Sequence, residues 1–92
     1  MRVLITPTFE RTVKRLHLQQ KAALDEAVRA VVSQPEAGDT KVGDLAGVQI
    51  YMLCMGNLKC LLAYRVLEVN TLKLLMVGPH ENFYRDLKRT EI

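Results

Sequence analysis

The sequence predicts an α+β fold in which one strand, two helices and three further strands follow in the order β-α-α-β-β-β, with a short helix at the C-terminus. Two observations support this order. A short β-branched segment precedes two stretches with apolar residues at helical spacing, and three strand-like apolar segments then fill most of the second half. The 92 residues, 49% hydrophobic and 25% charged, have globular composition and suffice for one core. We therefore expect one domain over residues 1–92.

The N-terminal part is predicted to form a strand and a short helix. Residues 2–6 are largely β-branched or aliphatic, and Pro7 ends this strand. Thr6 or Thr8 then caps a helix over residues 8–17, because Pro7 is tolerated in a first helical turn. The apolar residues of this helix recur at helical spacing and its basic residues lie outside that stripe.

A second helix is predicted over residues 19–34. Its apolar stripe consists of Leu24, Ala27, Val28 and Val31. Pro35 ends the helix, since proline disfavours the α conformation in the residue before it. Residues 35–47 contain three glycines and are predicted to be a loop.

The rest of the chain is predicted to form an antiparallel meander with strands over 48–55, 59–69 and 72–77, followed by a helix over 82–89. A two-residue Gly56-Asn57 loop would suit a type II′ turn. The hydrophobic pattern instead favours an odd loop, which keeps even-numbered residues of both strands on one face. That face would carry Val48, Ile50, Met52, Cys54, Cys60, Leu62, Tyr64 and Val66, and the other would carry Gln49, Tyr51, Lys59 and Arg65.

This pattern predicts that the two N-terminal helices cover the apolar face of the sheet. The opposite face is expected to stay open except where the C-terminal helix crosses it. The strand over 72–77 has Lys73 as its only charge, so we expect it to lie inside the sheet.

The sequence excludes several classes of function. The longest apolar stretches are too short to span a bilayer, and the N-terminus lacks the apolar core of a secretory signal, so we expect a cytoplasmic protein without a membrane segment. Cys54 and Cys60 match neither a metal spacing nor a disulfide framework. In the predicted register they lie close together on the buried face, where a disulfide is conceivable but the compartment favours reduced thiols. No metal or cofactor site is predicted.

The charge distribution permits an anionic partner. The net charge is +3, and residues 1–21 carry five cations against Glu10 alone. The segment 36–44 is acidic apart from Lys41. A mild basic excess of this kind is compatible with nucleic acid binding, but the same charges also suit a solvated helix.

The last quarter of the chain contains the candidate site. His80 follows Gly-Pro at the end of a strand, and Tyr84 follows four residues later. Histidine is the side chain that titrates nearest to neutral pH, so it can transfer protons there. If Arg65 and Lys59 on the neighbouring strand converge with this pair, the cluster suits RNA cleavage, in which a 2′-hydroxyl attacks its own phosphate and cations stabilise the developing charge.

Each of these residues also has a structural interpretation. His80 would then line a turn, and Tyr84 would pin the last helix to the sheet. Arg65 would form a surface ion pair with Glu68 or Glu81, which contributes little to stability.

The chain resembles the RelE/ParE superfamily of bacterial type II toxins over nearly its full length. The resemblance lies in four segments taken in order: residues 9–16 of the helical hairpin, the loop from Pro35 through Gly47, the strand Leu61–Val66, and the ending from Val77 to Leu87. It implies a RelE-like fold and a toxin component that an antitoxin neutralises. The antitoxin would be acidic and partly disordered and would form a hetero-oligomer with the toxin.

Two activities are implied by this resemblance. RelE-like members cleave mRNA in the decoding site of the ribosome without a metal cofactor, which would make His80, Tyr84 and Arg65 catalytic and Lys59, Arg85 and Lys88 RNA-binding. ParE-like members bind and poison DNA gyrase, and His80 would then have no catalytic role. A binding module that has lost toxicity is a third alternative, because the net charge is low for a ribosome-dependent nuclease.

Overall fold

The computed structural model describes residues 1–68 and 70–91, and within these residues it shows five strands and three α-helices. The strands are β1 (Arg2–Ile5), β2 (Asp39–Thr40), β3 (Gln49–Met55), β4 (Leu58–Glu68) and β5 (Thr71–Pro79). The helices are α1 (Pro7–Lys14), α2 (Leu18–Ser33) and α3 (Phe83–Glu91). The sheet has the order β1-β5-β4-β3-β2, with β1 parallel to β5 and the other pairs antiparallel. The α+β prediction is confirmed, and β5 lies inside the sheet as expected.

The first helix begins one residue before its predicted start and ends at Lys14, three residues before its predicted end, while the second spans Leu18–Ser33 instead of 19–34. The Thr6 hydroxyl accepts a hydrogen bond from the backbone N–H of Phe9 at 3.0 Å and donates one to the carbonyl of Leu75 at 2.6 Å. Thr6 therefore caps α1 and also ties its start to β5. At the start of α2, the side chain of Gln20 accepts a hydrogen bond from the backbone N–H of His17 at 2.9 Å. The helix ends two residues before Pro35.

The predicted register of the first β-hairpin is wrong. Met55 pairs with Leu58, so Gly56 and Asn57 alone form the turn. Gly56 has φ +64°, which glycine adopts without the steric cost that a side chain would add. The even loop moves each residue of β3 to the opposite face from the one predicted. The predicted end of the next strand at Val69 lies outside the described residues.

The consequence is visible at the two cysteines. Cys60 is buried on the face that α1 and α2 cover, whereas Cys54 is exposed. Cys54 pairs with Lys59 and Cys60 with Leu53, so the two thiols point to opposite faces of the sheet. The expectation that both lie together on the buried face is therefore wrong, and the fold does not favour a disulfide between them. Burial raises the pKa of the Cys60 thiol.

The sheet separates two hydrophobic cores. The core under α1 and α2 includes Phe9, Leu24, Ala27, Val31, Leu53, Met55, Cys60, Leu62, Tyr64, Leu72, Leu74 and Val77. The second core, between the sheet and α3, includes Leu45, Val48, Ile50, Leu61, Ala63, Leu75, Met76, Phe83 and Leu87. The face that the sequence left open is thus largely apolar, and α3 is anchored on it by two side chains with 1% and 0% exposure, Phe83 and Leu87.

The segment predicted to be a loop is held to the sheet by one buried hydroxyl. Tyr64 donates a hydrogen bond to the carbonyl of Pro35 at 2.6 Å and accepts one from the backbone N–H of Gly38 at 2.9 Å. Burial raises the pKa of the Tyr64 phenol, and the hydrogen bond from Gly38 opposes this shift. After this contact the chain forms β2, which the sequence did not indicate, and pairs with the first two residues of β3.

Candidate functional site

The end of β5 and the start of α3 position the predicted histidine and tyrosine. β5 pairs with β4 as far as Pro79, which lies opposite Cys60. The chain then turns, with Asn82 in the left-handed region at φ +60°, where asparagine is better tolerated than most residues. The backbone N–H of Phe83 donates to the carbonyl of His80 at 3.2 Å. This turn directs α3 back over the sheet and leaves His80 exposed at its end.

His80 and Tyr84 are in contact. Their ring centroids are 6.0 Å apart and the ring planes are nearly perpendicular, at 85°. This edge-to-face arrangement is one of the favoured geometries for aromatic pairs. His80 is exposed and Tyr84 is half-buried. The imidazole is therefore accessible to a substrate, while the tyrosine ring is held by its packing on Phe83.

Lys41 joins this pair, although the sequence analysis did not select it. Its ammonium nitrogen lies 5.1 Å from the centroid of the Tyr84 ring, within the range of a cation–π interaction. The backbone N–H of Lys41 donates to the carbonyl of Val48 at 2.8 Å, which fixes this residue beside the start of β3. The available signal was that Lys41 is the only cation in the acidic segment 36–44.

A cleft of about 280 Å³ lies between the segment 41–45 and α3. Its lining consists of Lys41, Val42, Asp44, Leu45, Tyr84 and Lys88. Lys88, which the sequence predicted to bind RNA, thus borders the same space as Lys41 and Tyr84. The cleft combines two ammonium groups, one carboxylate and one aromatic ring.

Two other residues that the sequence predicted to bind RNA, Lys59 and Arg85, are exposed. Lys59 is exposed and adjacent to Cys60, which pairs with Pro79, so it lies at the same end of the sheet as His80. Arg85 is exposed on α3, with its Nε 3.6 Å from a carboxylate oxygen of Asp86. Lys59 and Arg85 are thus exposed cations beside the end of β5 and on the first turn of α3, respectively.

Arg65 does not converge with His80. Arg65 pairs with Lys73 of β5. It lies five residues from Cys60 along β4, a distance of about 16 Å. Its Nη1 donates to the carbonyl of Ala46 at 2.9 Å. Tyr84 thus contacts His80 and Lys41 and shares the cleft with Lys88, whereas Arg65 bonds to Ala46, just beyond the segment 41–45 that lines the cleft.

Within 1–68 and 70–91, no group of three or more His, Cys, Asp or Glu side chains is placed to hold a metal. None of the helices in this part of the chain is long and apolar enough to cross a membrane.

Comparison with known proteins identifies the family. The family model described as the ParE-like toxin of type II bacterial toxin-antitoxin system matches residues 3–88. The chain therefore belongs to the ParE-like toxins of type II bacterial toxin–antitoxin systems, as the resemblance predicted. No curated protein sequence matches the chain significantly.

Similar solved structures confirm the RelE-like fold. A chain of the intact E. coli RelBE toxin–antitoxin complex has a TM-score of 0.70 and 15% identity, with 87% of this chain and 96% of that chain covered. The isolated E. coli RelE toxin has a TM-score of 0.68 and 17% identity, with 96% of each chain covered. A chain of the RelBE2 complex from Mycobacterium tuberculosis has a TM-score of 0.67 and 24% identity, with 86% and 96% covered.

Proposed function

We propose that this toxin is an endoribonuclease that cleaves mRNA at the ribosome and so inhibits translation. The observation that carries this proposal is the contact of His80 with Tyr84, with the ammonium group of Lys41 on the same tyrosine ring. An exposed imidazole can transfer protons, an aromatic ring can bind an unstacked base, and cations can hold phosphate, so this set suits cleavage of single-stranded RNA. Tyr84 and Lys41 line a cleft of about 280 Å³, and the exposed His80 contacts this tyrosine.

The proposed reaction needs no group outside the RNA and the protein. The 2′-oxygen attacks the adjacent phosphorus, the bond from phosphorus to the 5′-oxygen breaks, and a cyclic phosphate and a 5′-hydroxyl result. His80 takes the proton of the 2′-hydroxyl as base and, as the resulting imidazolium, returns a proton to the departing 5′-oxygen as acid. Lys41, which contacts the same tyrosine ring as His80, stabilises the charge that develops on the phosphorane.

We further propose a cognate antitoxin, acidic and forming a hetero-oligomer with this chain in the cytoplasm. The RelBE complexes with similar folds support such a partner. Among the described strands, β1 pairs only with β5, so its outer edge is open. Val3, Leu4 and Ile5 on this edge are 37–46% exposed. An exposed apolar edge strand invites pairing with another chain, and an antitoxin segment would cover it.

DNA gyrase is the alternative target. The family match to ParE-like toxins favours this hypothesis. A toxin that acts by binding a protein would not require the His80 cluster. A gyrase-directed toxin would trap cleaved DNA and trigger DNA damage signalling while leaving mRNA intact. A module without any toxicity would arrest neither translation nor replication.

The deciding experiment is induction of the chain without an antitoxin, followed by mapping of mRNA 5′ ends and by assay of trapped DNA breaks. We expect growth arrest with new mRNA ends inside ribosome-bound messages. Growth arrest with intact mRNA would disprove the nuclease, and DNA breaks in the same cells would establish gyrase as the target. Normal growth in cells that contain the folded chain would leave only the non-toxic module.

A further inference from the structure

The outer edge of β3 is uncovered over most of its length. β2 pairs with Gln49 and Ile50 alone, so residues 51–55 have β4 on one side and no described strand on the other. We propose that this edge is the interface of a homodimer, in which β3 pairs antiparallel with β3 of a second copy about a twofold axis at Leu53. The proposal goes beyond the action on RNA and does not depend on it. It also leaves β1 to the antitoxin, because β1 and β3 face opposite sides of the sheet.

The backbone groups of Met52 and Cys54 point outward from this edge. The carbonyl of Val48 accepts a hydrogen bond from the backbone N–H of Lys41, on the side of β2. Backbone groups alternate in direction along an antiparallel strand, so every second residue after Val48 directs its N–H and C=O to that side. Beyond β2 these residues are Met52 and Cys54, and both are exposed. The edge thus offers two donors and two acceptors that no described strand pairs.

These backbone groups match those of a second copy in one register. A twofold axis at Leu53 places Met52 of each copy opposite Cys54 of the other. Each of the two pairs exchanges both of its N–H···O=C hydrogen bonds, so all the outward groups of Met52 and Cys54 are satisfied. An axis at Met52 would instead place Cys54 opposite Ile50, which β2 already pairs.

The strand lacks the features that keep natural edge strands apart. Charged residues, prolines and bulges normally protect an exposed edge from pairing. Residues 49–55 contain no charge and no proline, and they pair with β4 without a bulge. Met52, in the middle of the uncovered part, is 59% exposed. The edge is therefore suited to pairing with another strand.

The charges beside this edge favour a second copy as its occupant. A groove of about 300 Å³ separates α2 from residues 51–54 of β3, and Glu26 borders it. Arg29 lies one turn further along α2, and both side chains are exposed. The twofold axis reverses the direction of α2 in the second copy, so Glu26 of each copy faces Arg29 of the other. A strongly acidic or strongly basic partner would suit only one of these two residues. Ala23 and Ala30 in the same groove let the two helices approach closely.

The test is analytical ultracentrifugation of the purified full chain without an antitoxin, which should show a monomer–dimer equilibrium. Met52→Lys places two like charges diagonally across the axis and should raise the dissociation constant at least about tenfold. Leu67→Lys is the matched control, because Leu67 is also exposed, at 48%, and lies on β4. This variant should dimerise like the parent chain. Thermal unfolding checks that each variant is folded.

The ion pairs across the axis have a test of their own. Glu26→Arg should weaken the dimer at least about twofold, because both pairs are lost. Addition of Arg29→Glu exchanges the two charges and should restore the dissociation constant of the parent chain. Glu10→Arg makes the same charge change on α1, where Glu10 pairs with Lys14, and should leave the dissociation constant unchanged.

Disulfide trapping tests the register. Residues that exchange both hydrogen bonds in an antiparallel pair have Cα atoms about 5.5 Å apart, which a disulfide can bridge. Met52→Cys should therefore form a disulfide with Cys54 of the second copy under mild oxidation. The same variant with Cys54→Ser should not be linked, because residues at diagonal positions are about 7–8 Å apart.

Several results would overturn this interface. A chain that stays monomeric up to about 1 mM would have no specific self-association. A dimer that survives Met52→Lys but dissociates with Leu4→Lys would be formed through β1 instead. A charge exchange that fails to restore the dimer, or a cross-link that persists with Cys54→Ser, would contradict the twofold axis at Leu53. Association is measured without RNA or ribosomes, so its outcome is distinct from that of the mRNA cleavage assay.

Discussion

The imidazole of His80 and the ring of Tyr84 meet edge to face, with centroids 6.0 Å apart, at the point where β5 gives way to α3. His80 follows the last residue of β5 and Tyr84 is the second residue of α3, and the turn through Asn82 brings them together. His80 is exposed and contributes little to either hydrophobic core. Its role in function can therefore be separated from any role in folding.

Replacement of His80 by Asn should abolish mRNA cleavage and leave stability unchanged. Loss of a general acid or base typically lowers a rate about 10²- to 10⁴-fold. The measurements are mRNA end mapping after induction and thermal unfolding of the purified variant. His17→Asn is the matched control, because His17 is exposed at the start of α2 and asparagine is a favoured residue there. A folded His80→Asn chain that cleaves as well as the parent would contradict the catalytic role.

Replacement of Arg65 by Gln should affect stability more than chemistry. The substitution removes the hydrogen bond from Nη1 to the carbonyl of Ala46, and one such bond contributes about 1 kcal/mol to the free energy of unfolding. Because Arg65 lies far along β4 from Cys60, we expect a smaller loss of cleavage rate than His80→Asn causes. Urea unfolding and end mapping check the two effects. A cleavage defect as large as that of His80→Asn in a stable Arg65→Gln chain would restore Arg65 to the catalytic site.

Replacement of Tyr64 by Phe should destabilise the fold by about 1–3 kcal/mol, because the carbonyl of Pro35 and the N–H of Gly38 lose their partner. The destabilisation that Tyr64→Phe causes should be smaller in alkaline solution. Burial raises the pKa of Tyr64 in the folded chain, so the unfolded chain releases the phenolic proton first, near pH 10. The parent protein therefore loses stability as the pH rises from about 10 towards the raised pKa of Tyr64 in the folded chain. The phenylalanine variant has no phenol and does not lose stability in this way.

Urea unfolding of the parent chain and the Tyr64→Phe variant at pH 8 and at pH 10.5 measures this difference. The two chains differ only at residue 64, so the effects of all other groups cancel in the comparison. If Tyr64→Phe changes the free energy of unfolding by the same amount at both pH values, the buried phenol does not govern the loss of stability in alkaline solution.

Replacement of Gly38 by Ala should destabilise the fold through the same hydroxyl. An added Cβ would lie 2.7 Å from the Tyr64 oxygen and 3.1 Å from the carbonyl oxygen of Ile50. Since Gly38 has φ −79°, the cost is steric and not conformational. We expect about 1–3 kcal/mol from urea unfolding, the usual range for overpacking. In a Tyr64→Phe background the same substitution should cost less, and purely additive effects would contradict the proposed clash.

The sequence by itself determined the order of the elements, the start of α1 and the end of α2. These features depend on local chemistry: Thr6 and Pro7 start α1, and Pro35 lies just beyond the end of α2. The spacing of His80 and Tyr84 across a Gly-Pro strand end also indicated their contact before the fold was known. Such features need only neighbours within a few residues.

Only the tertiary structure decided which face each residue of β3 occupies. Ile50 lies in the core under α3, while Leu53 and Met55 lie in the core under α2. Because both faces of the sheet are apolar here, alternation of apolar and polar residues could not fix the register, and the turn at Gly56 fixed it instead. The same long-range packing brought Lys41 to Tyr84 and held Arg65 beside Ala46. Those contacts join residues 43 and 19 positions apart in the chain, and their geometry depends on how the sheet and α3 pack together.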